Sequence, residues 1–215
     1  MCGRFYIADE DETGEIQRMI DEAARKQQRI IGESTIHAGE ISPGMAAPAL
    51  ALGKSGGAGV FPMQWGFGLS GKTIINTRLE TAADKPLFRE AFLHRRCLLP
   101  LSHYYEWELR EEAIPSLLGD DALAPKCKKR IRYAIRPEGE GQMYLAGIYR
   151  HEGEGKLPSF SVLTCRPHDS ISWLHDRMPV ILPEGAALAF LRDASVAAQR
   201  MGKMQWRMDE KKAIL

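Results

Sequence analysis

The sequence predicts an α+β protein: a mostly antiparallel β-sheet, open or barrel-like, with helices at its periphery. Three observations predict this class. A segment near the start has helical periodicity, several later segments are short and rich in β-branched or aromatic residues, and those segments are joined by Gly and Pro turns rather than by regularly alternating helices. Residues 12–29 place Ile16, Met19, Ile20, Ala23 and Ala24 at helical spacing among charges, which describes an amphipathic surface helix. From Ala49 to Leu79 short apolar runs are punctuated by Gly and Pro, with a turn signal at Lys54-Ser55-Gly56-Gly57. Pro86 opens a second helix that buries Phe88 and Phe92. Residues 97–109, 131–136, 143–150 and 159–164 read as strands, with turns at Glu138-Gly139-Glu140-Gly141 and Glu152-Gly153-Glu154-Gly155. Residues 111–130 contain Pro115, Gly119 and Pro125 and end in the cationic run Lys126, Lys128, Lys129, Arg130, so they read as a surface insertion. Residues 183–193 read as another helix, and the last fifteen residues as a helix or tail.

Length and composition suit one domain spanning residues 1–215, since 44% of the residues are hydrophobic and 27% charged. No run of about 18 apolar residues is present and the N-terminus lacks a signal-peptide pattern, so a cytoplasmic protein without a membrane partner is expected. Cys2, Cys97, Cys127 and Cys165 are widely separated, which favours reduced thiols over a disulfide framework. The histidines and cysteines show neither CxxC nor HExxH spacing, and Gly53 to Gly59 lacks the Gly-Lys-Ser ending of a phosphate-binding loop. No metal and no cofactor are therefore expected. A net charge of +1 means that any nucleic-acid contact must come from a local patch. Oligomeric state is not legible.

Cys2 has chemistry that no internal cysteine possesses. Loss of Met1 would leave an α-amine and a thiol on adjacent carbons. The amine condenses with an aldehyde to a Schiff base, and the thiol then closes on the imine carbon to a five-membered thiazolidine. With reference pKa values of about 7.7–8.0 and about 8.5, both groups have reactive fractions near neutral pH. The cysteine alone does not distinguish this reading from a merely tolerant position 2.

Other stretches carry candidate chemistry, each with a structural alternative. In Tyr104-Tyr105-Glu106-Trp107 strand alternation puts Tyr104, Glu106 and Glu108 on one face and Tyr105 and Trp107 on the other. A carboxylate between aromatics is partly desolvated, which raises its pKa and suits a base working near neutral pH; on an exposed strand face it would do neither. Asn76, Arg78 and Glu80 alternate onto one face opposite Thr77, Leu79 and Thr81, suited to phosphate and sugar or simply to an Arg78–Glu80 ion pair. His175 opens His-Asp-Arg-Met-Pro and can be a proton donor or a helix-end cap. Trp65 and Phe67 either stack on bases or belong to the core.

Seven motifs occur in order over residues 1–179: Met-Cys-Gly-Arg-Phe at 1–5, Trp65-Gly66-Phe67, Asn76-Thr77-Arg78-Leu79-Glu80-Thr81, Phe88-Arg89-Glu90-Ala91-Phe92, Arg95-Arg96-Cys97-Leu98-Leu99-Pro100, Tyr104-Tyr105-Glu106-Trp107 and His175-Asp176-Arg177-Met178-Pro179. Together they resemble the SRAP family, the SOS-response-associated peptidases. The resemblance implies a β-rich domain whose N-terminal cysteine crosslinks to abasic sites in single-stranded DNA, with self-processing that removes Met1. It implies that Cys2 is the nucleophile, that Glu106 is an acid/base beside it, that Asn76 orients the abasic site and that His175 protonates the sugar ring oxygen. It further implies DNA contacts from Arg4, Arg78, Trp65 and Phe67. The chain departs from the family pattern at Glu40, where Asn is usual and a carboxylate facing the groove would repel phosphate. It departs also at Ser102-His103, at Gly68-Leu69, where a second Trp is common, and at Cys165-Arg166. Two other functions fit the residues: an N-terminal-nucleophile peptidase acting on proteins, and a non-catalytic nucleic-acid-binding module.

Overall fold

A computed structural model describes residues 2–8, 13–113, 126–139, 141–200 and 206–211. The first part of the chain runs β1 (Phe5–Ile7), α1 (Glu15–Ile31), β2 (Gly39–Ile41), β3 (Ala46–Leu52), β4 (Ala58–Trp65), β5 (Phe67–Leu69), β6 (Lys72–Ile74) and β7 (Asn76–Arg78). It continues through α2 (Pro86–His94), β8 (Arg96–Leu101), β9 (His103–Ala113), β10 (Lys126–Pro137), β11 (Met143–Arg150) and β12 (Ser159–Cys165). The last described elements are β13 (Met178–Pro179), β14 (Ile181–Pro183), α3 (Glu184–Arg192), α4 (Ser195–Arg200) and β15 (Trp206–Lys211). This is the α+β class expected, with antiparallel pairing dominant.

Two sheets organise the chain. The first has the order β15-β10-β9-β1-β2 and is antiparallel throughout. The second has the order β13-β12-β4-β3-β8-β11-β14, with β7 attached to β12. Strand β12 also pairs with β11, so the pairings β12, β4, β3, β8, β11 return to β12. Every residue of β8 and β12 is buried, because these strands are covered on both faces. The amphipathic helix α1 turns Ile16, Met19, Ile20 and Ala23 inward, and it ends where Gly32, at φ 83°, donates its N–H to the Gln28 carbonyl. Arg96 is nearly buried yet satisfied: its guanidinium donates to the carbonyls of Phe92, Leu93, Phe190 and Leu191. It thereby ties the C-terminal turns of α2 and α3 to β8.

Three expectations need correction. The cationic run at 126–130 is the start of β10, paired with β9 from Lys126↔Ala113 to Ile135↔Tyr104, so both ends of the expected insertion are hairpin arms; residues 114–125 lie outside the described residues. Of the last fifteen residues, 206–211 are neither helix nor tail but β15, paired to β10 from Arg132↔Lys211 to Pro137↔Trp206, and residues 201–205 and 212–215 lie outside the described residues. Strand alternation also stops at Arg78, because Leu79–Thr81 form a 3-10 turn.

Trp65-Gly66-Phe67 is a packing device. Trp65 and Phe67 are both fully buried, the Trp65 indole N–H donates to the Ile75 carbonyl at 2.9 Å, and its ring lies between Phe5 and Phe160. Neither ring has a face for a nucleic-acid base, which corrects their place among the DNA contacts. Gly66 has φ 116°, and a Cβ there would collide with the Thr73 side-chain methyl. Gly66→Ala should therefore cost roughly 2 kcal/mol or more through backbone strain and overpacking. A chemical-denaturation midpoint equal to that of the parent would contradict this assignment.

Candidate active site

The site is assembled where the two sheets meet the segment before β1. Asn76, first residue of β7, donates from Nδ2 to the Cys2 carbonyl at 2.8 Å. Its Oδ1 is buried and accepts no hydrogen bond among the described residues. Strand β7 is placed by parallel pairing with β12, Asn76 opposite Val162 and Thr77 opposite Leu163, and by a buried hydrogen bond between the Thr77 and Ser161 hydroxyls at 2.9 Å.

Glu106 reaches the same place from β9 and is only 6% exposed. Burial raises its carboxyl above the ordinary range, with the positive charge available to His175 opposing the rise. Cys2 is fully buried, and its thiol is pushed up to about 12 by desolvation and by the negative charge of Glu106. A free thiolate near neutral pH, expected from reference values, is thus not what the folded site holds. Burial pushes Cys165 up to about 12 as well, so acidity does not single out Cys2; its neighbours do. Tyr104, also buried, is raised by desolvation and by the same two groups.

His175 lies in the loop before β13. Its Nδ1 accepts the Arg177 amide N–H at 3.0 Å, which leaves the proton of the neutral ring on Nε2. Asp176 Oδ1 lies 2.7 Å from the same nitrogen. Arg177 holds this loop down with a fork to Glu80 at 2.9 and 2.7 Å and a bond to the Thr164 carbonyl at 2.6 Å. The guanidinium keeps the Glu80 carboxyl below its ordinary range. Glu80 is therefore the partner of Arg177 and not of Arg78, and the loop carrying His175 is joined to the turn that follows Asn76.

Of the expected residues, then, Cys2, Asn76, Glu106 and His175 converge. Arg78 is exposed and forms no ion pair among the described residues. Arg4 lies elsewhere: its guanidinium is 2.5 Å from Glu40 and stands over Trp107, on the face of β9 opposite Glu106. Trp173 was not anticipated. It is 55% exposed, its indole N–H donates to the Ser170 carbonyl at 3.1 Å, and its ring meets Tyr133 edge-on at 5.6 Å. Tyr133 is the cross-strand partner of Glu106, so Trp173 stands on the site side of the sheet. Its clue in the sequence was an apolar aromatic two residues before His175.

The site thus joins a buried Cys2 whose carbonyl is held by the Asn76 amide, a Glu106 carboxyl of raised pKa and the imidazole of His175. The SOS response associated peptidase (SRAP) profile matches residues 1–214, and the chain belongs to that family. Over 117 residues it is 32% identical to the abasic site processing protein YoqW of Bacillus subtilis, covering 53% of this chain and 46% of that one. It is 25% identical over 135 residues to the abasic site processing protein YedK of Escherichia coli, covering 61% of this chain and 54% of that one. The chain thus spans about half the length of the curated relatives it matches. A crystal structure of a protein from Bacteroides thetaiotaomicron superposes with a TM-score of 0.68 at 18% identity, over 98% of this chain and 92% of that one, a likeness of fold.

Proposed function

We propose that this chain captures abasic sites in single-stranded DNA through a thiazolidine formed on Cys2 after loss of Met1, by self-processing. The observation that carries the reading is the convergence of Cys2, Asn76, Glu106 and His175, and the relatives named as abasic site processing proteins support it.

The chemistry follows from the groups present. His175 gives a proton to the ring oxygen as its bond to C1′ breaks, and the imidazole is restored by the proton that the C1′ hydroxyl loses in becoming the aldehyde. The freed Cys2 amine adds to the aldehyde carbon, and loss of one water leaves the imine. Because the thiol is protonated, Glu106 takes the S–H proton as sulfur attacks the imine carbon, and the imine nitrogen receives it. One aldehyde and one aminothiol thus give one thiazolidine and one water, with no change of oxidation state. Asn76 holds the Cys2 carbonyl, and its open Oδ1 can accept from the hydroxyl of the carbinolamine that precedes the imine. Arg78 supplies the exposed cation for a phosphate flanking the lesion.

The test is a denaturing gel of processed protein mixed with a single strand bearing one abasic site. A heat-stable shifted band is expected with that strand and not with intact DNA. Equal crosslinking of a fully paired abasic duplex would remove the single-strand part of the reading. Trp173 replaces Trp65 and Phe67 as the platform for a base beside the lesion, since stacking on an aromatic contributes about 1–3 kcal/mol per base. Trp173→Ala should weaken single-strand binding by roughly 5- to 150-fold in fluorescence anisotropy. Trp173→Phe should retain most of the affinity, and an unchanged Trp173→Ala variant would exclude this role.

A further inference from the structure

We propose that Arg4 and Arg132 form a site for a backbone phosphate of a single strand, and that the Glu40 carboxylate occupies this site as an intramolecular stand-in that the strand must displace. The proposal rests on the nucleic-acid reading above and goes beyond it, because it gives Glu40 a gating role and adds Arg132 to the binding surface.

The outer face of the five-stranded sheet carries the site. Glu40 on β2 is opposite Tyr6 on β1, Tyr6 is opposite His103 on β9, and Trp107 is opposite Arg132 on β10, so these side chains share one face. Each oxygen of the Glu40 carboxylate is held by a different guanidinium, Oε1 by Arg4 at 2.5 Å and Oε2 by Arg132 at 2.9 Å. Two guanidiniums converging on separate oxygens of one anion is an arrangement a phosphate diester can reproduce with its two non-bridging oxygens. The three side chains are 40%, 32% and 29% exposed for Arg4, Glu40 and Arg132, so a strand can reach them.

The surroundings favour a nucleic-acid strand over a simple surface ion pair. Arg4 and Arg130 lie over the Trp107 ring at 5.7 and 4.7 Å, and Arg132 lies over Tyr105 at 4.5 Å. Tyr6 stacks on His103 at 5.0 Å, and His103 meets Tyr105 edge-on at 4.8 Å. A row of aromatic rings overlaid by guanidiniums is the combination that tracks an unpaired strand, cations on the backbone and rings on the bases. Glu40 is the acid bound within this row. It is placed on a three-residue strand at the end of the sheet order, so its side chain can turn outward without a change in strand pairing. Ion pairs this exposed are weak and screened by salt, which makes exchange for a phosphate feasible.

The test uses an intact oligothymidylate, so that its outcome does not depend on crosslinking. Glu40→Gln removes the competing charge and should tighten binding about fivefold at low salt. It should also steepen the dependence of log affinity on log salt by about 0.7, the value for one more phosphate neutralised on a single strand. Arg132→Gln should weaken binding and flatten that slope, and the Glu40→Gln/Arg132→Gln double variant should lose most of the gain. Thermal unfolding supplies the second reading: Glu40→Gln should melt at or below the parent's temperature while binding more tightly. A role confined to structure would lower stability and binding together. Unchanged or weaker binding by Glu40→Gln, with the parent binding the oligonucleotide, overturns the gate and leaves the proposed function standing. Failure of every variant and the parent to bind, together with absent crosslinking, overturns both.

Discussion

Cys2→Ala should abolish the heat-stable adduct with an abasic single strand while leaving strand binding intact. The processed variant still has an α-amine, so a Schiff base forms and borohydride traps it, but there is no sulfur to close the ring. On a denaturing gel the parent should give a shifted band without reductant, and the variant only with it. Protein that retains Met1 should not give the unreduced, heat-stable band, since its Cys2 nitrogen is an amide and cannot enter the ring. A variant that formed the unreduced, heat-stable band as fast as the parent would remove the thiol from the mechanism. The same variant separates the alternatives: a non-catalytic binding module would be indifferent to it, and a peptidase acting on proteins would lose that activity without any DNA adduct having formed in the parent.

Glu106→Gln should slow adduct formation by about 10²–10⁴-fold, the usual contribution of a positioned acid or base, with Cys2 still in place. The pH profile identifies the group. Burial raises the Glu106 carboxyl, so the ionised base is depleted as pH falls through that raised value. The parent's rate should therefore decline on the acid side at a higher pH than an ordinary carboxylate would give, and the variant should lack that limb. Stability should move oppositely. Between the unfolded and the raised folded pKa the native state holds the extra proton, so this group's contribution is full below the window and is lost as pH rises through it. Gln is exempt from that loss, so the variant's Tm at neutral pH should equal or exceed the parent's. A slow variant that also melts lower would mark Glu106 as a structural residue.

What the sequence disclosed follows the range of the forces involved. Helix α1 was legible because its burial is set by spacing within one element, and the two faces of Tyr104-Tyr105-Glu106-Trp107 because alternation is a property of a single strand. Strand β15 was not, since six residues rich in charge become a strand only by pairing with β10 some seventy residues earlier. The hairpin arms around residues 111–130 were hidden for the same reason: Glu and Lys disfavour strands locally, and cross-strand partners overrule them. Burial of Trp65 and Phe67, the choice of Arg177 as partner for Glu80, and the trapping of Glu40 between two arginines all depend on which distant strands become neighbours. Spacing along the chain has no information on that.

Strand β1 is three residues long and lies between β2 and β9, with Phe5 paired both to Ile41 and to Tyr104. A terminus that would otherwise fray is woven into the middle of a sheet. During synthesis β1 precedes β9 and acquires this second neighbour only after Tyr104 has left the ribosome, so on the proposed mechanism the reactive Cys2 is made early and seated late. An aminothiol is indiscriminate towards aldehydes while the chain is still being made, and retention of Met1 over that interval would keep it masked until Asn76 and Glu106 are in position to direct it.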